Sequence, residues 1–271
     1  MLLLEARCKN SGLFFKNFFD MLVQLSPFST INDKNRYIKQ ACFKIDPRSF
    51  QIYTNVNHSV WVSADYESSS FYKFNLIPQE INIGVSLEHL KNFFKNARKQ
   101  DDIVFEINGD NPNNPETLTV HVIKEKNQDL SCKHEIKVQI IQSEHVDYEE
   151  RLNNPIHIKS SEFTSLCRSI YPQPGWIDIS FTQNAAKFYF NIQDVVNSTI
   201  QIGDKNIKQY DYTERYNASY IRNINKLASF SVYVKMYATI KQPLVFETKI
   251  ECLGTMRVYI KSNDQILEDN Y

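Results

Sequence analysis

Cys132 and His134 stand two residues apart, so on a β-strand a thiolate and an imidazole would share one face. That is half of a metal site, and a tetrahedral set needs a second pair. The sequence supplies none. The five cysteines (Cys8, Cys42, Cys132, Cys167, Cys252) contain no CxxC, and the six histidines contain no HExxH. Asp147, Glu149 and Glu150 lie together in "DYEE", but in a polar stretch they read as a solvated connector. No GxxxxGK[ST], GxGxxG or GxSxG occurs. The expectation is a chain with no catalytic site, no metal and no cofactor.

What remains is a recurrent placement of cations. In "KSSEFTSLCRSIY" (159–171), Phe163, Leu166, Cys167 and Ile170 recur at helical spacing, and Arg168 points away from that stripe. Ser160 or Ser161 can cap the first turn, where Glu162 suits the helix dipole. Three other segments share the design. In residues 11–25 the aromatic residues, Met21, Leu22 and Leu25 make a broad apolar face, with Lys16 and Asp20 opposite. In 86–99, Leu87, Leu90, Phe93, Phe94 and Ala97 form the stripe, and Lys91, Lys95 and Arg98 lie off it. In 217–229, Tyr220, Ile221, Ile224 and Leu227 turn inward, and Arg222 and Lys226 outward.

The elements that would hold these helices are strands. Residues 2–124 read strand, helix, several strands, helix, two strands; residues 155–261 read strand, helix, several strands, helix, three strands. Between them, residues 139–155 turn acidic and poor in β-formers. The expected organisation is an α+β domain over 1–138, a connector over 139–155 and a similar domain over 156–271. Only four helical segments are legible.

Composition limits the partners. Lys plus Arg and Asp plus Glu are 31 each, which argues against coating nucleic acid by bulk charge but leaves room for a local basic surface. Scattered cysteines indicate a reducing compartment. No apolar run approaches the ~20 residues of a membrane span, and Glu5 and Arg7 interrupt the apolar start, so the expectation is a soluble, intracellular chain.

Several segments, in order along nearly the whole chain, resemble one family, the eukaryotic-type DNA sliding clamps of the proliferating cell nuclear antigen type. "SSEFTSLCRSI" (160–170) is similar to the helix that opens the clamp's second domain, and "LLEARCKNSGLFFKNFFDML" to its start and first helix. "GVSLEHLKNFFKNARKQDDIVFEI" resembles the second helix and its following strand, and "QPLVFETKIECLGTMRVYIKS" (242–262) the C-terminal hairpin. Three features depart from the family: residues 26–40 are longer than its turn, the first helix keeps only Lys16, and the charge is balanced rather than acidic. Such divergence suits a viral or otherwise specialised clamp.

The resemblance implies a DNA-clamp fold: two similar domains, each with antiparallel sheets outside and two short helices inside, closing into a three-subunit ring around duplex DNA. Lys95, Arg168 and Lys226 fall on the family's positions; Lys16, Lys91, Arg98 and Arg222 join them by helix geometry alone. A partner-peptide pocket carries over to Pro243 and Tyr259 as floor, Ile140 and Ile141 as upper wall, and Val56 from the first domain. Residues 116–123 and 197–203 are the edge strands expected to meet between subunits. The implied partners are duplex DNA, polymerases and other clamp-binding proteins, and a clamp loader, in the nucleus or at a viral replication site. The alternative is a clamp-fold subunit of a hetero-oligomeric checkpoint-type clamp, or a clamp-like viral transcription factor.

Overall fold

The computed structural model describes residues 1–26, 40–56, 58–125, 131–142, 154–170, 175–192, 196–207, 209–250 and 253–269. The first half runs β1 (Leu2–Cys8), α1 (Gly12–Leu25), β2 (Gln40–Ile45), β3 (Ser49–Val56), β4 (Val60–Glu67), β5 (Lys73–Leu76), β6 (Ile81–Ser86), α2 (Leu87–Phe94), β7 (Asp102–Asn111), β8 (Asn114–Ile123), β9 (Cys132–Lys137) and β10 (Gln139–Ile140). The second runs β11 (Ile156–Lys159), α3 (Ser160–Ser169), β12 (Trp176–Phe181), β13 (Ala185–Ile192), β14 (Val196–Gly203), β15 (Tyr212–Asn217), α4 (Ala218–Asn223), β16 (Tyr233–Tyr237), β17 (Leu244–Ile250), β18 (Gly254–Ile260) and α5 (Asn263–Glu268).

Two compact units result. One holds Met1–Thr54, Ser63–His145 and Ile250–Thr255; the other holds Asn55–Val62, Val146–Lys249 and Met256–Tyr271. The bounds therefore fall within β3, β4, β17 and β18. Residues 143–153 of the expected connector, and 27–39 of the long turn, lie outside the described residues.

In the first unit an antiparallel sheet runs β5-β1-β7-β8-β9, and β10-β6-β2-β3 are neighbours in a second. Rings fill the space between. Phe15 is fully buried and lies 5.0 Å from Phe105, 5.5 Å from Phe94 and 6.1 Å from Tyr66, centroid to centroid. Such ring pairs contribute roughly 0.5–1.5 kcal/mol each beyond their buried area. The turn into β18 admits only glycine, since a Cβ on Gly254 would stand 1.9 Å from the Asp65 carbonyl oxygen.

In the second unit a four-stranded sheet runs β14-β13-β12-β15, and β17-β16-β11 are neighbours in another. Its core mixes Ile177, Ile179, Leu166, Met236 and Val258 with Phe163, which meets Phe246 at 5.5 Å.

Four expectations need correction. Neither Ser160 nor Ser161 caps α3: Lys159 takes the N-cap position, and the Ser160 hydroxyl donates to the Ser231 carbonyl instead. The helix expected over 217–229 is split into α4 and a 3-10 turn at Asn225–Ser229, where Ile and Asn are weak helix formers. A fifth helix, α5, exists. β8 is not an edge, because it pairs with β7 on one side and β9 on the other. The edges of that sheet are β5 and β9, whereas β14 is an edge as expected.

Candidate nucleic-acid interface

Each unit pairs two helices. In the first, α1 and α2 meet through Phe94, stacked on Phe15 and on Phe19 at 5.2 Å. The start of α1 is fixed from α2's exit: Ser11 and Gly12 donate their backbone N–H groups to the Asp101 carbonyl (3.1 and 3.0 Å). The Asp101 carboxylate, buried, accepts from the Arg98 N–H at 2.7 Å and from Lys124 Nζ at 2.6 Å. In the second unit, the Cys167 thiol on α3 donates to the Ile221 carbonyl on α4 at 3.3 Å. Burial pushes that thiol's pKa up to about 12, so it is a packing residue and weak donor rather than a nucleophile. Asn217 caps α4 by accepting from the Ser219 N–H at 2.9 Å.

Apolar stripes facing inward leave the cations outward. α2 buries Leu87, Leu90 and Phe94 and exposes Lys91 and Lys95, with Arg98 exposed just beyond. α3 buries Phe163, Leu166 and Cys167 and exposes Arg168. Lys16 on α1, Arg222 on α4 and Lys226 on the 3-10 turn are half-buried. The Arg222 guanidinium donates to the Asn223 side chain at 3.3 Å.

Charge pairing separates these side chains from many cations on the strands. Among the described residues, Lys16, Lys91, Lys95, Arg98, Arg168 and Lys226 have no carboxylate within ion-pair distance. On the strands, Arg7 and Lys73 close on Glu5, Arg215 on Asp178, and Lys235 and Arg257 on Glu247. A cation already neutralised by a neighbour has little left for a phosphate; an unpaired one releases counterions when it binds.

The other sequence-derived positions fall as follows. Ile140 on β10 is 58% exposed, and Ile141, half-buried, donates its N–H to the Asn82 carbonyl at 3.3 Å; both belong to the first unit. Val56, Pro243 and Tyr259 belong to the second, with Val56 and Tyr259 buried and Pro243 half-buried. Cys132 and His134 share β9, where His134 stacks on Phe93 at 4.5 Å. No third metal-competent side chain joins them among the described residues. Asp147, Glu149 and Glu150 lie outside those residues.

A groove of about 440 Å³ on the β12–β15 sheet went unnoticed in the sequence; Trp176, Tyr189, Asn197, Thr199, Asp178 and Arg215 line it. Its two charges cancel, with Arg215 Nε 2.7 Å and Nη2 3.1 Å from the Asp178 carboxylate, so it does not compete with the helices for phosphate.

No protein-family model matches the chain. It is 23% identical over 287 aligned positions to uncharacterized protein 436R of Invertebrate iridescent virus 6, covering 97% of this chain and 93% of that one. It is 23% identical over 217 positions to proliferating cell nuclear antigen 2 of Drosophila melanogaster, covering 77% and 82%. Among solved structures, the proliferating cell nuclear antigen of Entamoeba histolytica superposes with a TM-score of 0.75 at 17% identity, over 97% of this chain and 100% of that one. The fold is the clamp fold.

Proposed function

We propose that this chain is a DNA sliding clamp: copies of it, three to a ring, encircle duplex DNA and tether polymerases and other DNA-processing proteins. One observation carries the reading. Within the clamp fold, and among the described residues, Lys16, Lys91, Lys95, Arg98, Arg168 and Lys226 have no carboxylate within ion-pair distance, while many strand cations are neutralised by carboxylates. Contacts of that kind bind every sequence alike and exchange easily, so enclosure rather than affinity keeps such a ring on its track. Lys16, Lys91, Lys95, Arg98, Arg168, Arg222 and Lys226 are the proposed DNA-facing set. The task is one of binding and needs no catalytic group.

Ring closure would use strand edges. β14 is an eight-residue edge strand with no charged residue and no proline, the open type that invites a partner strand. β9 of a neighbouring copy is the proposed partner. Short peptides of client proteins are proposed to dock on Val56, Ile140, Ile141, Pro243 and Tyr259, and a loader to open the ring. The viral and nuclear-antigen relatives support a nuclear or viral replication setting.

Reversing Arg168 and Lys226 together to Glu tests the reading. The expected result is normal folding with loss of polymerase stimulation on primed circular DNA. Undiminished stimulation sinks the inner-wall assignment. A second reading, a subunit of a mixed ring or a clamp-like transcription factor, draws on α1, whose outward charges Lys16 and Asp20 cancel. Light scattering on the purified chain separates the two: a self-trimer favours the first, a monomer or dimer the second.

A further inference from the structure

The four-stranded sheet of the second unit ends in two edge strands, β14 and β15, and α5 treats them differently. Among the described residues, β15 pairs with β12 alone, and it is the strand that α5 packs against most. The turn after β16 adds a contact on the same strand, with the Lys241 N–H donating to Glu214 Oε1 at 3.3 Å. We propose that α5 is an edge guard: it denies β15 to strand addition by a second copy of this chain.

The helix is built to be held in place without being part of the core. None of its six residues is buried, and Leu267 is 51% exposed. Its base is nevertheless firm. Ser262, 2% exposed, forms a capping box with Gln265: the Gln265 side chain accepts from the Ser262 N–H at 2.8 Å, and the Ser262 hydroxyl accepts from the Gln265 N–H. The Lys261 N–H donates to the Ser59 carbonyl at 2.9 Å, and Lys261 Nζ reaches the Asp269 carboxylate at 2.5 Å, tying the far end of the helix to its start. Arg215 on β15 is held charged chiefly by its hydrogen bond to Asp178, with Asp264 on α5 a lesser contributor.

An uncovered edge strand is a template for another chain. A sheet open at both edges can add copies in two directions, which yields open chains of molecules; closing one edge of this sheet removes one of those directions. The consequence for ring closure rests on the function proposed above, but the guarding of β15 does not.

Two altered chains test it: one ending at Ser262, and a full-length chain with Ile266→Pro, which removes the N–H that donates to the Ser262 carbonyl at 3.1 Å. Light scattering over a hundredfold concentration range should give one mass for the unaltered protein and a mass rising with concentration for both altered chains. Their circular-dichroism melts should stay within a few degrees of the parent. Thr213→Lys, a charge placed on β15 of the shortened chain, should suppress the added association. Unchanged masses overturn the guard, and so does unfolding of the shortened chain, which would make α5 part of the core. A monomeric parent that associates on losing α5 would sink the ring and keep the guard.

Discussion

α1 and α3 hold the same place in their units, each following the unit's first strand, and they spend their surfaces differently. α1 has 14 residues and buries nine of them, four of which are phenylalanines. α3 has ten residues and buries three. The outward residues of α1 are Leu13, Lys16, Asn17, Asp20 and Gln24, with Lys16 and Asp20 one turn apart; those of α3 are Arg168, Ser161, Ser165 and Ser169, with the exposed Glu162 in its first turn, away from Arg168. Those serine hydroxyls are partly committed, since Ser165 donates to the Ser161 carbonyl and Ser169 to the Ser165 carbonyl, each at 3.0 Å. Arg168 is thus the charge that α3 presents to a phosphate in its second half. One position in a repeated topology has become a core element in one unit and a surface element in the other.

The largest test of that contrast is in the core. Phe15→Ala removes the ring that touches Phe94, Phe105 and Tyr66 at once and should cost about 3–5 kcal/mol. Leu166→Ala on α3, with fewer ring partners, should cost less, toward the lower end of the ~2–5 kcal/mol spread for buried Leu→Ala. Urea unfolding of both variants decides it. Equal losses would mean that the two helices are anchored alike.

Next in size is the electrostatic contrast. Losing one phosphate contact should flatten the dependence of log K on log salt by about 0.9. Arg168→Glu should show that loss in anisotropy titrations of duplex DNA across salt concentrations. Lys16→Glu should change the slope less, because Lys16 is half-buried and Asp20 stands one turn along. A larger effect at Lys16 would reverse the assignment of roles.

These differences mark what the sequence carried. The stripes of all four long-recognised helices were legible, because burial follows a period of 3.6 and cations fall off the stripe. α5 was missed for want of a stripe in six residues, although Ser262 followed by Gln265 is a capping-box pattern that could have announced it. The edge at β9 was missed for a different reason. Being an edge is a property of pairing, and "CKHEIK" looks less like a strand than "ETLTVHVI", which the fold places inside the sheet. The Ser160 hydroxyl had two possible partners, its own helix or a distant carbonyl, and only tertiary contact with Ser231 selects between them.

The smallest expected effect compares two buried carboxylates, one in each unit. Glu5 lies between Lys73 and Arg7, and its pKa is lowered chiefly by the hydrogen bond from Lys73, with Arg7 adding to it against the opposing effect of burial. For Glu247, burial pushes upward most strongly, yet hydrogen bonds from Lys235 and Arg257 overcome it and the pKa still falls below 4.5. Tyr237 also donates to Glu247 at 3.2 Å. A carboxylate whose folded pKa lies below its unfolded value adds stability that is complete above the unfolded value and disappears as pH falls through the folded one. Both units should therefore weaken below about pH 4.5, where unfolded carboxylates begin to take up protons. Glu5→Gln and Glu247→Gln should each lower stability at neutral pH and flatten the acid side of the stability curve, measured as urea midpoints between pH 7 and pH 3 (roughly the span over which such groups titrate). The substitution at Glu247 should cost more at neutral pH, because it strands two cations and a buried tyrosine hydroxyl, whereas Glu5→Gln strands two cations that are over two-fifths exposed. An acid limb left unchanged by both would show that these bridges contribute nothing to the pH dependence of either unit.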